Sequence, residues 1–579
     1  MAQFLKINSK QPKYRNMKRL NQHICLLALL LTTMAGQART ININVDEVKG
    51  DLTQALREQC GKATHNDLVV LNFGTGTYTV TGTIRLNCSV VIKGQGRDNT
   101  TIILDKGSDR AGFKAFIDDT YFRIAGTLKN PITASISDLS IRLKDHKGIW
   151  WEGEARHAVK IYHANKVDIH DMDSYMQNAV ITNIDMRVCS NVTVTNCIIS
   201  NYNNCNDGGG LWIRGEMHNI NVKGNKFYKY GKDETLGIYD RVVDVTNGYV
   251  RGTARRTDIF VEDNEFYYGG YNGKDKDPEA NCGMLFTLMT DHKLSKDQCT
   301  TRNFHLRNNK FFINDVTTRC MYIGFDPADY HKDIYIENNQ IINGDIGREY
   351  RYYHKDIEVH DLSSCGDTIH INGNTVINRN LVLTDHNDSG YMFLQTRGGI
   401  VSVLGNHLLN EVTVNPKNRK SYGMRLIWCQ YEGGNVTLRD NVCKGLESVA
   451  YVGGGEGTDL FTLNASNNVF EGDTRIYSHK IKKMNLNFKG NTFRSSNMNF
   501  FLVEFAPSGS VVFDNNDVTV NGGNGQFMTH WSKSSTKNYR FDRLEVKYNV
   551  FHGVANEKEL LKNITNARKR KIGHNSYNR

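Results

Sequence analysis

Proline is scarce in this chain, with six in 579 residues. Proline cannot donate to a strand ladder, so its scarcity suits a chain that is paired strand almost throughout. Pro-rich and Ser-rich linkers are also missing, and a single elongated domain is expected even though the length alone suggests several. No 3.6-residue apolar period marks a helical solenoid, and no regular four-strand block marks a propeller. No apolar run approaches the roughly 20 residues of a membrane span. The twelve cysteines include no pair at zinc-ligand spacing, which excludes a zinc cluster of that kind.

An excess of basic charge is lacking too, once the leader is set aside. The formal charge is +11. Residues 17–38, MKRLNQHICLLALLLTTMAGQA, combine two basic residues, an apolar run over 24–31, and Gly36 and Ala38 before a cut, which reads as a bacterial-style secretory signal with Met17 as its start. Residues 1–38 carry six Lys or Arg and no acid, leaving 66 basic against 61 acidic residues, or +5. That small balance gives no footing to nucleic-acid binding. It permits an anionic glycan without requiring one. The expected protein is an exported monomer, secreted, periplasmic or at the cell surface, with no membrane span.

What the sequence does have is a repeat. Between residues 220 and 551 one frame recurs eleven times: apolar, any, apolar, any, any, Asn, any, apolar, with Cys once in the last slot. Its Asn are Asn225, Asn264, Asn309, Asn339, Asn374, Asn406, Asn441, Asn468, Asn491, Asn516 and Asn549, as in INVKGNKF from Ile220 and LEVKYNVF from Leu544. The frame holds while its spacing varies from 23 to 45 residues, so it is a structural unit and the variable segments are insertions. Two apolar residues two apart make a short one-faced strand, and the break before the second strand puts Asn at a tight corner, where it tolerates left-handed backbone. Stacked at about 4.8 Å, such amides can bond to one another as a ladder. A third strand, often opened by Gly, precedes most corners, as in GGLWIRG from Gly209 and YGMRLIW from Tyr422. Three strands per turn, stacked lengthwise, predict a right-handed parallel β-helix of roughly thirteen or fourteen turns from residue 132 on.

The segments DLTQALREQCG from Asp51, LVVLNFGTGTYTV from Leu68 and VVIKGQGRDNTTIIL from Val90 resemble the entry to the pectin-lyase-like superfamily. The resemblance implies a capping helix at Asp51 and divides the chain into a leader (1–38), a cap with first coils (39–110), the β-helix (111–555) and a basic C-terminal tail (556–579). An odd eleven cysteines follow the leader; Cys60 with Cys88 could tie helix to coil, Cys282 with Cys299 could close an insertion, and Cys443 reads as core. The superfamily hosts lyases, hydrolases, epimerases and tailspikes, so the fold names no reaction.

A β-helix fills its interior, which leaves the outer face of the strand before each corner, flanked by long insertions, as the place for a site. Strict alternation turns Trp212, Arg214, Thr287, Asp291, Tyr322, Asp326, Glu358, His360, Phe393, Gln395 and Arg397 outward, with Arg425 completing the row. Asp291 and Asp326 end the same kind of strand one repeat apart, so they are the expected acid pair, since glycoside hydrolysis needs two carboxyl groups about 5–10 Å apart. Trp212, Arg214, Tyr322, Glu358, His360, Phe393, Arg397 and Arg425 are expected to bind substrate through ring faces and paired hydrogen bonds. A second-choice cluster is Asp207, Asp233, Glu234, Asp240 and Arg241. No metal ligand is assigned and no cofactor is required; Ca²⁺ enters only if the chemistry is that of the lyase members. The two functional expectations are an exported protein that binds and cleaves a polysaccharide, hydrolysis ahead of β-elimination, and a noncatalytic glycan-binding or adhesin-type solenoid. A solvated salt-bridge ladder on the same face is the plain alternative to any site.

Overall fold

The structure is a computed structural model that describes residues 38–105, 120–144, 157–177, 182–202, 209–230, 233–239, 243–244, 248–249, 254–269, 283–290, 299–314, 319–326, 329–344, 354–362, 366–379, 391–411, 424–429, 433–453, 460–479, 481–495, 508–521, 541–562 and 567–578. Apart from two short helices and one 3-10 turn, these residues form a single 42-stranded sheet of parallel neighbours and one small two-stranded ribbon. One coil shows the plan: Leu211–Arg214 lies in the first sheet, Met217–Lys223 in the second and Lys226–Tyr230 in the third. Asp233–Tyr239 then returns to the first sheet and pairs with Leu211–Arg214. The fold is a right-handed parallel β-helix.

The frame Asn stand where the second sheet turns into the third, and each is at most 2% exposed. Asn339 shows how they are satisfied. Its Oδ1 accepts from the backbone N–H and the Nδ2 of Asn309, while its own Nδ2 donates to Leu306 O and to Asn374 Oδ1. The chain of amides runs unbroken from Asn225 to Asn549, so no member is the lone buried amide that would cost free energy.

Three expectations about this corner need correction. Left-handed geometry falls on the residue before each Asn: Gly224, Asp263, Asn308, Asn338, Gly373, Gly405, Asp440, Asn467, Gly490, Asn515 and Tyr548 have φ of 53° to 66°. That leaves the ladder Asn free to point its amide inward. The ladder also gains Asn575, which accepts from Asn549. The segment expected as a basic tail therefore supplies the last rung, Ala567–Gly573, where Arg568 and Lys571 pair with Asp542 and Glu545 of the rung below. Toward the N-terminus Cys197 takes the Asn slot and its backbone N–H donates to Asn225 Oδ1; Met172 and Leu139 continue the column as buried apolar residues.

The N-terminal end is closed by helix Leu52–Cys60, as expected at Asp51, whose side chain caps it by accepting from Gln54 N. Leu56 and Cys60 bury against the first coils. Cys60 and Cys88 do not form the anticipated tie: both are buried free thiols, and burial pushes the Cys60 thiol up to about 12, with Cys88 adding to it. Cys443 is core, as read from the frame. The leader through residue 37 and Cys282 lie outside the described residues. Among the described residues no helix is long and apolar enough to cross a membrane.

Candidate functional site

The first sheet does not alternate strictly, and that decides its outer face. In each strand two consecutive residues turn inward, for example Leu285 with Phe286, and Phe393 with Leu394. Outward residues on the two sides of that pair are therefore three apart. One outward column runs Lys160, Asp185, Trp212, Gly237, Thr287, Tyr322, Glu358, Gln395, Trp428, Tyr451. Three residues earlier lies a second column with Glu234, Met284, Arg319, Lys355, Met392, Arg425 and Ser448. Two residues after the first lies a third, with Arg187, Arg214, Tyr239, Met289, Gly324, His360 and Arg397.

Phe393 is accordingly a correction: expected outward, it is wholly buried in the core because the inward pair shifts the phase by one residue. Met284, which strict alternation from an outward Thr287 would turn inward, stands in the outer column for the same reason and accepts from Arg319 through its sulfur. Arg319 and Lys355, which alternation hides, stand on the same outer face beside Glu358 and were not among the expected residues. The signal was the recurring three-residue step of Arg319 to Tyr322, Lys355 to Glu358 and Arg425 to Trp428.

Around Glu358 the columns converge. Lys355 Nζ donates to Glu358 Oε2 at 2.9 Å, Arg319 Nε lies 2.8 Å from the same oxygen, and Arg397 is 3.8 Å from Oε1. Burial would raise the carboxyl's pKa, but Lys355 and Arg319 beside it outweigh that and hold it below its ordinary value, so Glu358 is a carboxylate at neutral pH. The Tyr322 hydroxyl is 3.2 Å from His360 Nδ1, and the Arg319 guanidinium lies 4.9 Å from the Tyr322 ring centre. Burial, then the neighbouring Glu358, raises the phenol. Asp326 follows the strand Arg319–Phe325, half-buried, its backbone N–H held by Asp329 Oδ2 at 3.0 Å.

A second charged centre, unforeseen, lies on the same face at Asp185. Arg187 bonds it at 2.7 Å, Arg214 stands 3.4 Å away and His157 3.7 Å. Burial opposes ionisation there, yet Arg187 and Arg214 keep the carboxyl far below the usual range. Arg214 also lies 3.9 Å over the Trp212 ring. Farther along, Arg425 lies 3.4 Å from Glu447 and 4.9 Å from the Tyr451 ring centre; burial raises the Glu447 carboxyl despite Arg425.

Trp212, Arg214, Tyr322, Glu358, His360, Arg397 and Arg425 thus share one outer face, divided among three centres. Asp291, Asp207, Asp240 and Arg241 lie outside the described residues, as do 270–282, 291–298 and 345–353 from the expected walls. Of Asp233 only the main chain is described, at the start of Asp233–Tyr239, and Glu234 follows it in the outer column. Among the described residues no group of three or more His, Cys, Asp or Glu could hold a metal ion.

No family model and no curated protein matches the chain. Solved structures do. The tailspike protein of E. coli bacteriophage HK620, in complex with a pentasaccharide, is 13% identical over 87% of this chain and 75% of its own, with a TM-score of 0.42. The exopolygalacturonase of Yersinia enterocolitica is 10% identical over 89% and 79%, with a TM-score of 0.32. The DFA-IIIase of Arthrobacter chlorophenolicus A6, in complex with DFA-III, is 12% identical over 72% and 85%, with a TM-score of 0.36. At these identities the likeness concerns fold alone and says nothing about reaction. The right-handed parallel β-helix itself is read from the strand pairing of this chain.

Proposed function

We propose that this is an exported protein that binds a polysaccharide along the outer face of the first sheet and cleaves it beside Tyr322, Asp326 and Glu358. The observation that supports this most is burial. Charges on a solvated ladder would be exposed, whereas Glu358 is 1% exposed, Asp185 0% and Lys160 2%, although all three stand on the outside of the coil. An outer face that keeps ionised groups out of water resembles a walled groove. Within it Arg319 and Arg397 stand against the carboxylate, and Arg319, Tyr322, Asp326, His360 and Arg397 are only partly covered.

Hydrolysis with Asp291 and Asp326 as acid pair remains the first chemistry. Glu358 does not fit the role of proton donor, because its cations keep it ionised. It orients Arg319, Lys355 and Arg397 instead. Elimination, through the Tyr322 and His360 pair, is the second chemistry. Affinity electrophoresis against polygalacturonate, arabinoxylan, dextran and chondroitin sulfate tests the binding face: a gel-retained wild type and a Tyr322→Ala variant of reduced retention support it. Equal retention of both proteins on the glycan that binds would move the site elsewhere.

A further inference from the structure

We propose that the pocket between the capping helix and the first rung of the first sheet is a subsite for the acidic group of a sugar, a carboxylate or a sulfate, held by Arg57 and Arg85. The subsite deepens the glycan-binding reading and rests on it.

That first rung is Ile84–Leu86, which pairs with Thr120–Ala125. Strand register carries the first outward column back past Lys160, which stands beside Arg123, and Arg123 stands beside Arg85. The column that passes Tyr322 therefore begins at Arg85, seven rungs away, or ~34 Å. The pocket stands at the head of the face that the proposed glycan follows.

Helix Leu52–Cys60 and this rung enclose a cavity of about 440 Å³. It is lined by Arg57, Cys60 and Gly61 at the helix end and by Thr83, Arg85 and Asn87. Such a volume falls in the range of small-ligand pockets. Arg57 Nε donates to Thr83 O at 2.8 Å, which fixes the guanidinium and leaves the Nη1 and Nη2 edge for a planar anion. Asn87 Oδ1 accepts from Arg123 Nη1 at 3.3 Å, so Asn87 also meets a ligand as a donor, through Nδ2.

The surrounding charge has one sign. Among the described first-sheet stretches 84–86, 120–125, 157–162, 182–187 and 211–214, Asp185 is the one carboxylate, against Arg85, Arg123, Lys160, Arg187 and Arg214. The helix end opposes an anion, since a helix C-terminus carries about half a negative charge. That effect is the smaller one: the carbonyls of Arg57 and Cys60 already accept from Gly61 N and Ala63 N, and two full guanidinium charges line the cavity. The Cys60 thiol, pushed up to about 12 by burial, is neutral and adds nothing. A neutral sugar gives the two guanidiniums no charge to pair with, whereas a carboxylate or sulfate accepts charge-assisted bonds from both.

The test is isothermal titration calorimetry at low salt with oligosaccharides of polygalacturonate, which carry carboxylates only, of κ-carrageenan, which carry sulfates only, and of neutral dextran. The proteins are wild type, Arg57→Gln, Arg85→Gln, Arg85→Lys and Tyr322→Ala. Wild type is expected to bind an acidic series at least tenfold more tightly than dextran, and the preferred series identifies the group. Each Gln variant is expected to weaken that binding about tenfold, as for one charge-assisted bond, and Arg85→Lys, which keeps the charge, less. Arg85 is exposed, so Arg85→Gln retains its melting temperature even where Arg57→Gln loosens the helix. Dextran bound as tightly as the acidic series, or wild-type affinity in a folded Gln variant, would overturn the subsite; weakening by Tyr322→Ala would then leave the glycan reading standing. Failure of wild type to bind any of the three would overturn both.

Discussion

Asn309 gives both its backbone N–H and its side-chain Nδ2–H to the single Oδ1 of Asn339, at 3.0 Å each. Repeated along the coil, this doubled bond ties the backbone position of each corner to the identity of the side chain on the next.

Replacing Asn339 by Leu leaves two buried donors of Asn309 without an acceptor and Leu306 O without its amide. The expected loss is about 3 kcal/mol, a visible fall in melting temperature. An unchanged melting temperature would show that the corner does not depend on the ladder.

Gly405 occupies the left-handed position before a ladder Asn, with φ +63° and nothing within 4 Å of where a Cβ would stand. Gly405→Ala should cost about 1 kcal/mol from backbone strain alone, and Gly405→Asn much less. Equal stability of the two variants in urea titrations would contradict this assignment of the corner geometry.

The ladder and the stacked coils were legible because their signal is strictly local: one amide, its neighbours and a fixed step. The ends were less legible. Cys197, Met172 and Leu139 fill the Asn slot with apolar residues, and Asn575 follows a rung too basic to read as a strand, although its backbone pairs like any other. At the candidate site Tyr322, Glu358, His360 and Arg397 came from alternation applied to short apolar strands. The same rule misplaced Phe393 and hid Arg319 and Lys355, because two successive inward residues reset its phase. Burial of Glu358 and the Asp185 centre depend on segments far apart in the chain, which no local pattern reports.

Phe393→Ala separates the corrected placement from the original one. As a core residue it should cost about 3–5 kcal/mol in unfolding free energy. A stable Phe393→Ala protein with lost glycan affinity would return Phe393 to the outer face.

Glu358 makes the acid limb of stability testable. Its folded pKa lies below the ordinary 4.5, so its contribution is fully present above that value and is lost as pH falls through the depressed pKa. Glu358→Gln should therefore be less stable than wild type at neutral pH, with the gap closing as the pH drops below about 4.5. A gap that stays constant down to acid unfolding would mean that the three cations do not hold the carboxylate.

The central claim, a cleaving groove on the first sheet, is tested most directly by reducing-end release and by the ultraviolet absorbance of unsaturated uronates. Wild type and Asp326→Asn would be compared on polygalacturonate, arabinoxylan, dextran and chondroitin sulfate. The expected result is new reducing ends from one of the four with wild type, without unsaturated product, and loss of release with Asp326→Asn at unchanged melting temperature. Retained turnover in Asp326→Asn, or no product from any of the four with a wild type that binds them, would contradict it.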